Sequence, residues 1–278
     1  MTMQMSDRGL RAMIRQRRLT AFGILVVIFT VLVAMAGLGR DMAPFALVFV
    51  PAVSALLVAG LADGRPGIAR LFRRITHWRV APRWYLAAVG IPLVMWLGVD
   101  AAAIATGVPA GSLFQDLGSL PLVFLVTLIP AFIEEFGWRG YAVPSAPSSW
   151  PLVVTALVVG GLFIIPHLAL YLPGGLYDTL PLWPLPLILL SYGVLLTWAF
   201  AGSGGSALIP ALMHASFNGL TPLSRGVDPV VEWQLHAVVI TVIAIAVVAL
   251  SPSLRRGIAS RSDSASRPLL VEAQARAA

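Results

Sequence analysis

The chain has 278 residues, of which 58% are hydrophobic and only 11% are charged, and its mean hydropathy is +0.88. Soluble domains carry about 25% charged residues, so this composition excludes a soluble globular protein and predicts a multi-spanning membrane protein. The formal net charge is +7, and cysteine is absent, which excludes disulfides, thiolate metal ligands and a cysteine nucleophile. The arginines cluster at the ends and in one loop, which indicates an anionic membrane surface as partner rather than nucleic acid.

The first 19 residues form a basic segment that contains five arginines and precedes an apolar run from Thr20 to Gly39. That run is longer than the 7–15 residues that are typical of the apolar region of a signal peptide. We therefore interpret it as a retained first membrane span, with residues 1–19 on the cytoplasmic side.

A helix needs about 20 mostly apolar residues to cross a bilayer, and that length predicts an all-α bundle of about eight transmembrane helices over residues 20–250. The tail, residues 251–278, is rich in Ser, Arg and Ala and is predicted to be basic, cytoplasmic and disordered. The predicted spans are Thr20–Gly39, Ala43–Ala62, Tyr85–Thr106, Leu117–Ile133 with an extension, Pro151–Leu172, Leu180–Ala201, Ser206–Leu220 and Glu232–Leu250.

The distribution of arginine orients these spans. Arginines are dense in the N-terminal segment, in the loop after the second span and in the tail, and they are rare in the other loops. By the positive-inside rule, all three rich segments are cytoplasmic. Because an even number of spans puts both termini on one side, we expect a multi-pass plasma-membrane protein with both termini in the cytoplasm.

The loop after the second predicted span, Gly64 to Trp84, carries a helical pattern of its own. Its apolar residues fall on one helical face, whereas most of its arginines fall elsewhere. The pattern predicts a basic amphipathic helix that lies in the headgroup region of the bilayer. The apolar face consists of Ile68, Leu71, Phe72, Ile75 and Trp78.

Polar residues inside the predicted spans are the strongest functional signal. Glu134 and Glu135 follow an apolar stretch, residues 117–133, that contains no charge. A charge at membrane depth costs about 2.5–3.5 kcal/mol on insertion scales, so intramembrane carboxylates are functional candidates. Asp100, in the third span, is interpreted as a structural or cavity-lining residue. The other polar candidates are Arg139, His167, His214 and Asn218.

Helical spacing predicts how the carboxylates are used. Residues four positions apart share a helical face, so Glu135 and Arg139 can form an ion pair that makes a buried charge tolerable. Glu134 projects about 100° away from Glu135 and is free to face a different environment.

Two further pairs of residues are also four positions apart and therefore share a helical face. His214 and Asn218 share one face of the seventh predicted span. Phe163 and His167 share one face of the fifth, where Pro166 removes a backbone hydrogen bond and is expected to bend the helix.

These residue types suit amide hydrolysis. A carboxylate in a low-dielectric cavity can act as general base and acid near neutral pH, and a histidine can help it to activate water. A second histidine and an amide can donate hydrogen bonds to an oxyanion. The same groups are also zinc ligands, and zinc would then activate the water. The His-Glu-x-x-His signature of common zinc proteases is absent from the sequence.

The order and spacing of three motifs resemble those of the CPBP family, which contains CAAX prenyl proteases and bacteriocin-processing enzymes and is also called the Abi family. The glycine after the first motif and the Gly/Ser-rich segment before the third agree as well. The resemblance covers a core of about residues 117–220 and implies an eight-span bundle with an intramembrane polar cavity. The motifs are Glu134-Glu135-x-x-x-Arg139, Phe163-x-x-x-His167 and His214-x-x-x-Asn218.

The resemblance also implies a role for each residue. In the family's prenyl proteases, the first glutamate and the second-motif histidine activate a water molecule, and the third-motif histidine and asparagine stabilise the oxyanion. Carried over, this gives Glu134, His167, His214 and Asn218 as catalytic residues and Glu135 and Arg139 as supporting residues.

Family members are widely labelled metalloproteases, although a glutamate mechanism without metal is favoured for them. If zinc is present here, the only plausible protein ligands are Glu134, His167 and His214. The position of His214 on one face with Asn218 suits hydrogen-bond donation better than metal ligation. We therefore favour a mechanism that requires no cofactor and keep zinc as the alternative.

The sequence thus predicts an intramembrane endopeptidase whose partners are the lipid bilayer and a peptide or membrane-anchored protein substrate. A proton-coupled transporter or channel is one alternative, because a proton relay also needs intramembrane Glu, His and Arg. Many transporters contain internal repeats, and none is visible here. A non-catalytic membrane scaffold or immunity protein that keeps the motifs as structure is the other alternative.

One geometric requirement accompanies this prediction. If both termini are cytoplasmic, Glu134 lies toward the cytoplasmic end of the fourth span, whereas His167 lies about 24 Å along the fifth. The two side chains can approach each other only if the fourth helix continues beyond Ile133. We therefore expect this helix to continue through Arg139 to about Ala142.

Overall fold

The structure, a computed structural model, describes residues 7–108, 118–224 and 226–255. In these ranges the regular secondary structure is helical, which confirms the all-α class. Residues 1–6 and most of the predicted disordered tail, residues 256–278, lie outside the described ranges. The α-helices are α1 (Asp7–Gln16), α2 (Arg18–Met35), α3 (Gly39–Asp63), α4 (Arg65–Ile75), α5 (Pro82–Ala105), α6 (Leu120–Gly137), α7 (Val143–Ser145), α8 (Leu152–Leu168), α9 (Pro184–Gly202), α10 (Leu208–Gly219) and α11 (Pro229–Leu250).

Within the described ranges, seven helical segments are long and apolar enough to cross a membrane. The seventh predicted span, residues 206–220, is instead the 12-residue helix α10, whose length of about 18 Å is well short of a ~30 Å hydrocarbon core. The seven segments are Arg18–Met35, Met42–Asp63, Pro82–Ala105, Leu120–Ser145, Leu152–Tyr171, Pro184–Gly202 and Pro229–Leu250.

Helix α10 is short because it lies inside the bundle. It packs against α5, α6 and α9, and most of its residues are buried, including Met213 and Phe217. Gly219 permits its closest approach to α6, since a β-carbon there would lie 2.9 Å from the Cα of Phe124. A helix packed inside a bundle can be this short because its last turn lines a cavity rather than facing lipid.

Small residues also set the crossing of α8 and α9. A β-carbon on Gly193 would lie 2.7 Å from the backbone oxygen of Ala156 and 3.0 Å from the Cα of Gly160. Such close backbone approach is the usual means of packing helices in membranes, where lipid removes the hydrophobic drive for association. This crossing holds α8, which carries His167, against α9.

The fourth span continues as predicted beyond Ile133. α6 ends at Gly137 and is followed without a break by a π-helical turn, Trp138–Ala142, and then by α7. The whole run from Leu120 to Ser145 has 26 residues, which places Glu134 near its middle. The π-helical turn was not predicted from the sequence; such turns are common at functional sites.

One end of the bundle, which we call the basic end, is formed by α1, α4 and the helix ends that contact them. Arg18 donates two hydrogen bonds to Asp63, of 2.7 and 2.9 Å, and Arg70 contacts the same carboxylate. Arg74 donates from Nη1 to the backbone oxygen of Gly140 at 2.6 Å, which ties α4 to the π-helical turn.

The predicted amphipathic helix is present as α4, Arg65–Ile75, and it packs against α3. The chain turns sharply between them at Gly64, whose φ of 63° is a conformation that glycine adopts without strain. Leu71 points inward and is buried, whereas Phe72 is 54% exposed beside the basic face. This arrangement suits a helix that lies along the membrane surface.

Candidate active site

The polar residues predicted from the sequence converge on one cavity of about 510 Å³ in the interior of the bundle. Its walls come from seven helices, α3, α5, α6, α8, α9, α10 and α11, and from the loop after α8. The predicted catalytic residues that line it are Glu134, His167, His214 and Asn218. The two predicted supporting residues lie behind its wall rather than on it.

The adjacent glutamates face different surroundings, as their helical positions predict. Glu134 is partly exposed and lines the cavity, whereas the side chain of Glu135 has no exposed surface. Arg139 donates from Nη1 to Oε1 of Glu135 at 2.8 Å, so the predicted ion pair is present. Since both partners are fully buried, removal of either one would leave an uncompensated charge.

Glu135 also holds the first histidine of the third motif. The Nδ1 of His214 donates to Oε1 of Glu135 at 3.1 Å, because a carboxylate oxygen can only accept. This bond leaves Nε2 of His214 for the cavity. It also joins α10 to α6, so that one carboxylate neutralises Arg139 and orients His214 at the same time.

His167 is oriented by its own helix. Its Nδ1 donates to the backbone oxygen of Phe163 at 2.9 Å, and a carbonyl oxygen can only accept, so Nδ1 carries the proton. The neutral ring therefore has its lone pair on Nε2. α8 continues through Pro166 to Leu168. The Phe163 ring lies edge-on against both histidines, with centroid distances of 4.7 Å to His167 and 5.9 Å to His214.

A second polar pair in the cavity wall was missed at the sequence level. The hydroxyl of Tyr192 lies 3.0 Å from Nε2 of His236, and both side chains are buried. The Tyr192 ring stacks on Phe217, at a centroid distance of 4.4 Å, and the backbone oxygen of Phe217 accepts a 2.8 Å hydrogen bond from Trp96. His236 lies in an apolar span just as His167 does, so the same criterion could have found it.

The loop between α8 and α9 contributes Tyr177 to the cavity. Burial raises the pKa of its phenol, and the Glu134 carboxylate and Tyr171 raise it further. The phenol of Tyr177 therefore keeps its proton at neutral pH and remains a hydrogen-bond donor near Glu134.

The suggested zinc ligands, Glu134, His167 and His214, all line the cavity. A zinc site needs about three protein ligands at ~2.0–2.2 Å from the metal. Across the described ranges, no group of three or more His, Asp or Glu side chains is placed to hold a metal ion. His214 directs Nδ1 to Glu135, which leaves Nε2 as the nitrogen that could bind either a metal or the substrate.

Comparison with known families places this site in context. Residues 116–220 match the family model described as Type II CAAX prenyl endopeptidase Rce1-like. This segment is therefore similar to the CAAX prenyl endopeptidases of that family. The matched segment includes the three motifs and runs from the start of α6 through α10, so the resemblance predicted from the sequence is confirmed. No curated protein matches the chain.

The match supports a membrane protease in general and no more specific activity. CAAX prenyl endopeptidases of this type are intramembrane proteases, so the domain implies a protein substrate in a membrane context. The seven long apolar helices agree with a multi-pass membrane protein.

Proposed function

We propose that this protein is an intramembrane endopeptidase that hydrolyses peptide bonds with a water molecule activated by Glu134 and His167. The observation that carries the proposal is that both residues, from different helices, line the same cavity as His214 and Asn218. This shared lining supports the proposal, because hydrolysis needs a base, a histidine and oxyanion donors around one space that can hold a peptide bond and a water.

In this proposal Glu134 is the general base and later the general acid. Its carboxylate takes a proton from water as the oxygen attacks the substrate carbonyl, and it returns that proton to the nitrogen of the leaving amine. His167 holds the water through Nε2, which is the unprotonated nitrogen because Nδ1 donates to Phe163. No covalent intermediate with the enzyme is needed.

His214 and Asn218 stabilise the negative charge that develops on the substrate oxygen. The side-chain amide of Asn218 is a neutral donor. His214 can donate from Nε2 only when both ring nitrogens carry protons, since Nδ1 already donates to Glu135. The Glu135 carboxylate favours this cationic ring, which is a reason for its fixed place behind the cavity wall.

We further propose that the protein resides in the plasma membrane, that both termini are cytoplasmic and that no metal is required. The substrates are membrane-associated proteins or peptides. The distribution of arginine supports the orientation, and the position of His214 on one helical face with Asn218 supports hydrogen-bond donation to an oxyanion.

The test is proteolysis by the purified protein in detergent with a peptide library, comparing wild type with Glu134→Gln. Loss of the base is expected to reduce cleavage by about 10²–10⁴-fold. Asp100→Asn is a matched control, because Asp100 is also a buried carboxylate in a span but does not line the cavity. Cleavage by Glu134→Gln at nearly the wild-type rate would refute the assignment.

A further inference from the structure

The residues that line the cavity lie toward one end of the bundle, which we call the cavity end. Successive helices run in opposite directions, so a residue's place along its helix reports its depth. The cavity is lined by the first halves of α3, α9 and α11 and by the last halves of α5, α8 and α10. Those halves all lie away from the basic end, where α3 and α9 finish and α5 and α8 begin.

The floor of the cavity is closed toward the basic end. Arg139 and Ala142, in the π-helical turn, have no exposed surface. Below them Arg74 is hydrogen bonded to Gly140, and its own backbone oxygen accepts from the amide of Ala207 at 2.9 Å. These bonds join α4, the π-helical turn and the start of α10 into a layer across the bottom of the site.

The rim, by contrast, is open. Asn218 and Thr221 are exposed at the end of α10, and both line the cavity. Apolar side chains around them are also exposed, including Phe45 at 63% and Leu176 at 44%. A substrate therefore meets an amphipathic rim, which suits a peptide segment that lies at the membrane surface.

The two ends differ in charge. By the positive-inside rule, the end that is rich in arginine faces the cytoplasm. Among the described residues, the basic end carries Arg11, Arg15, Arg17, Arg18, Arg65, Arg70, Arg73, Arg74, Arg79, Arg83 and Arg255. Among the charged residues whose side chains the structure describes, the cavity end carries Asp178, Asp228 and Glu232.

We propose that the cavity opens to the non-cytoplasmic face of the membrane. The site then acts on peptide segments presented at that face, such as exported or membrane-anchored chains, rather than on tails of cytoplasmic proteins. The direction of opening is independent of catalysis, whereas the substrate class rests on the proposed endopeptidase function.

The absence of cysteine from the chain makes a direct test possible. Single cysteines are introduced at Thr179, in the exposed loop of the cavity end, and at Ser148, in the exposed loop between α7 and α8 at the basic end. Asn218→Cys and Thr221→Cys are two probes of the cavity rim. Each full-length variant is made in the Glu134→Gln background, so that proteolysis does not affect the result.

Intact cells are treated with a small, membrane-impermeant thiol reagent, and labelling is compared with that after permeabilisation. We expect Thr179→Cys and at least one rim probe to react fully in intact cells and Ser148→Cys to react only after permeabilisation. The reverse pattern would overturn the orientation. Reaction of Thr179→Cys in intact cells, with both rim probes protected until permeabilisation, would overturn the direction of opening.

A second experiment addresses the substrate. A peptide that the purified enzyme cleaves is fused either to an exported carrier or to a cytoplasmic carrier in cells that contain wild-type protein. We expect cleavage of the exported fusion only, and cleavage of the cytoplasmic fusion alone would contradict the substrate class. Failure of the endopeptidase function itself is distinguishable, because the purified enzyme would then cleave no peptide while the labelling pattern stood.

Discussion

Glu134 and Glu135 are neighbours in sequence, yet they belong to two different regions of the site. Glu134 stands on the open side, where the cavity reaches it. Glu135 stands on the sealed side, where Arg139 and His214 both donate to its Oε1 and no surface is exposed. One step along a helix turns a side chain by about 100°, which is enough to separate the two environments.

One motif can therefore contain both a reactive carboxylate, Glu134, and a supporting carboxylate, Glu135. A reactive carboxylate needs access to water and substrate, which only the open side provides. A supporting carboxylate needs fixed cationic partners, which only the sealed side provides. Removal of such a carboxylate or of its partner should lower the stability of the protein. Substitutions on the two sides should therefore produce different kinds of defect.

The largest effect on stability is expected from Arg139→Ala on the sealed side. It leaves Glu135 as a buried carboxylate without its strongest partner, and breaking such a pair costs about 3–5 kcal/mol. Thermal unfolding of the purified protein should show a clearly lowered Tm, whereas Glu134→Gln should unfold near the wild-type temperature. Arg79→Ala, an exposed arginine at the basic end, is the control. Equal Tm values for Arg139→Ala and Arg79→Ala would contradict the stabilising role of the sealed side.

On the open side, Asn218→Ala should reduce activity and leave stability nearly intact. Removal of one oxyanion donor typically lowers kcat by about 10²–10³, and Asn218 is exposed at the rim. Steady-state kinetics on a cleaved peptide would measure the loss. Ser216→Ala lies on the same helix but bonds only within it, to the backbone of Leu212, and should keep kcat. A rise in KM with an unchanged kcat for Asn218→Ala would argue against an oxyanion role.

A smaller effect is expected from Tyr192→Phe, which leaves His236 without its hydrogen bond. An unpaired buried polar group costs about 1–3 kcal/mol, whereas replacing both partners with apolar groups can be nearly neutral. The double variant Tyr192→Phe, His236→Phe should therefore be more stable than the sum of the single variants predicts. Strict additivity of the two losses in Tm would show that the pair is not coupled.

Sequence reasoning predicted the contacts that lie within one helix better than those between helices. The spacing of Glu135 and Arg139 predicts their ion pair directly, because four residues make one turn. The bond from His214 to Glu135 depends on how α10 crosses α6, and no spacing within a single helix encodes that crossing. His236 was overlooked for a different reason, since its span contains none of the three motifs.

The fold shows the same limit. Apolar runs predicted the helices, but hydropathy does not distinguish a lipid-facing span from a short helix buried in protein, and so residues 206–220 were taken as a full span. The packing of α10 against three neighbours decides its length. The π-helical turn, Trp138–Ala142, was also outside the prediction, and so was its contact with Arg74, which comes from a distant helix.

The smallest expected effect is that of a metal chelator, which tests whether His214 binds zinc. If His214 is reserved for Glu135 on one nitrogen and for the oxyanion on the other, it has no nitrogen left for zinc. Among the described residues no three-ligand cluster replaces it. Activity in detergent should therefore stay the same after treatment with a strong chelator, and metal analysis of the active protein should find zinc well below one equivalent. Stoichiometric zinc, with activity abolished by the chelator and restored by zinc, would show instead that Nε2 of the two histidines binds a metal and that the metal-free mechanism is wrong.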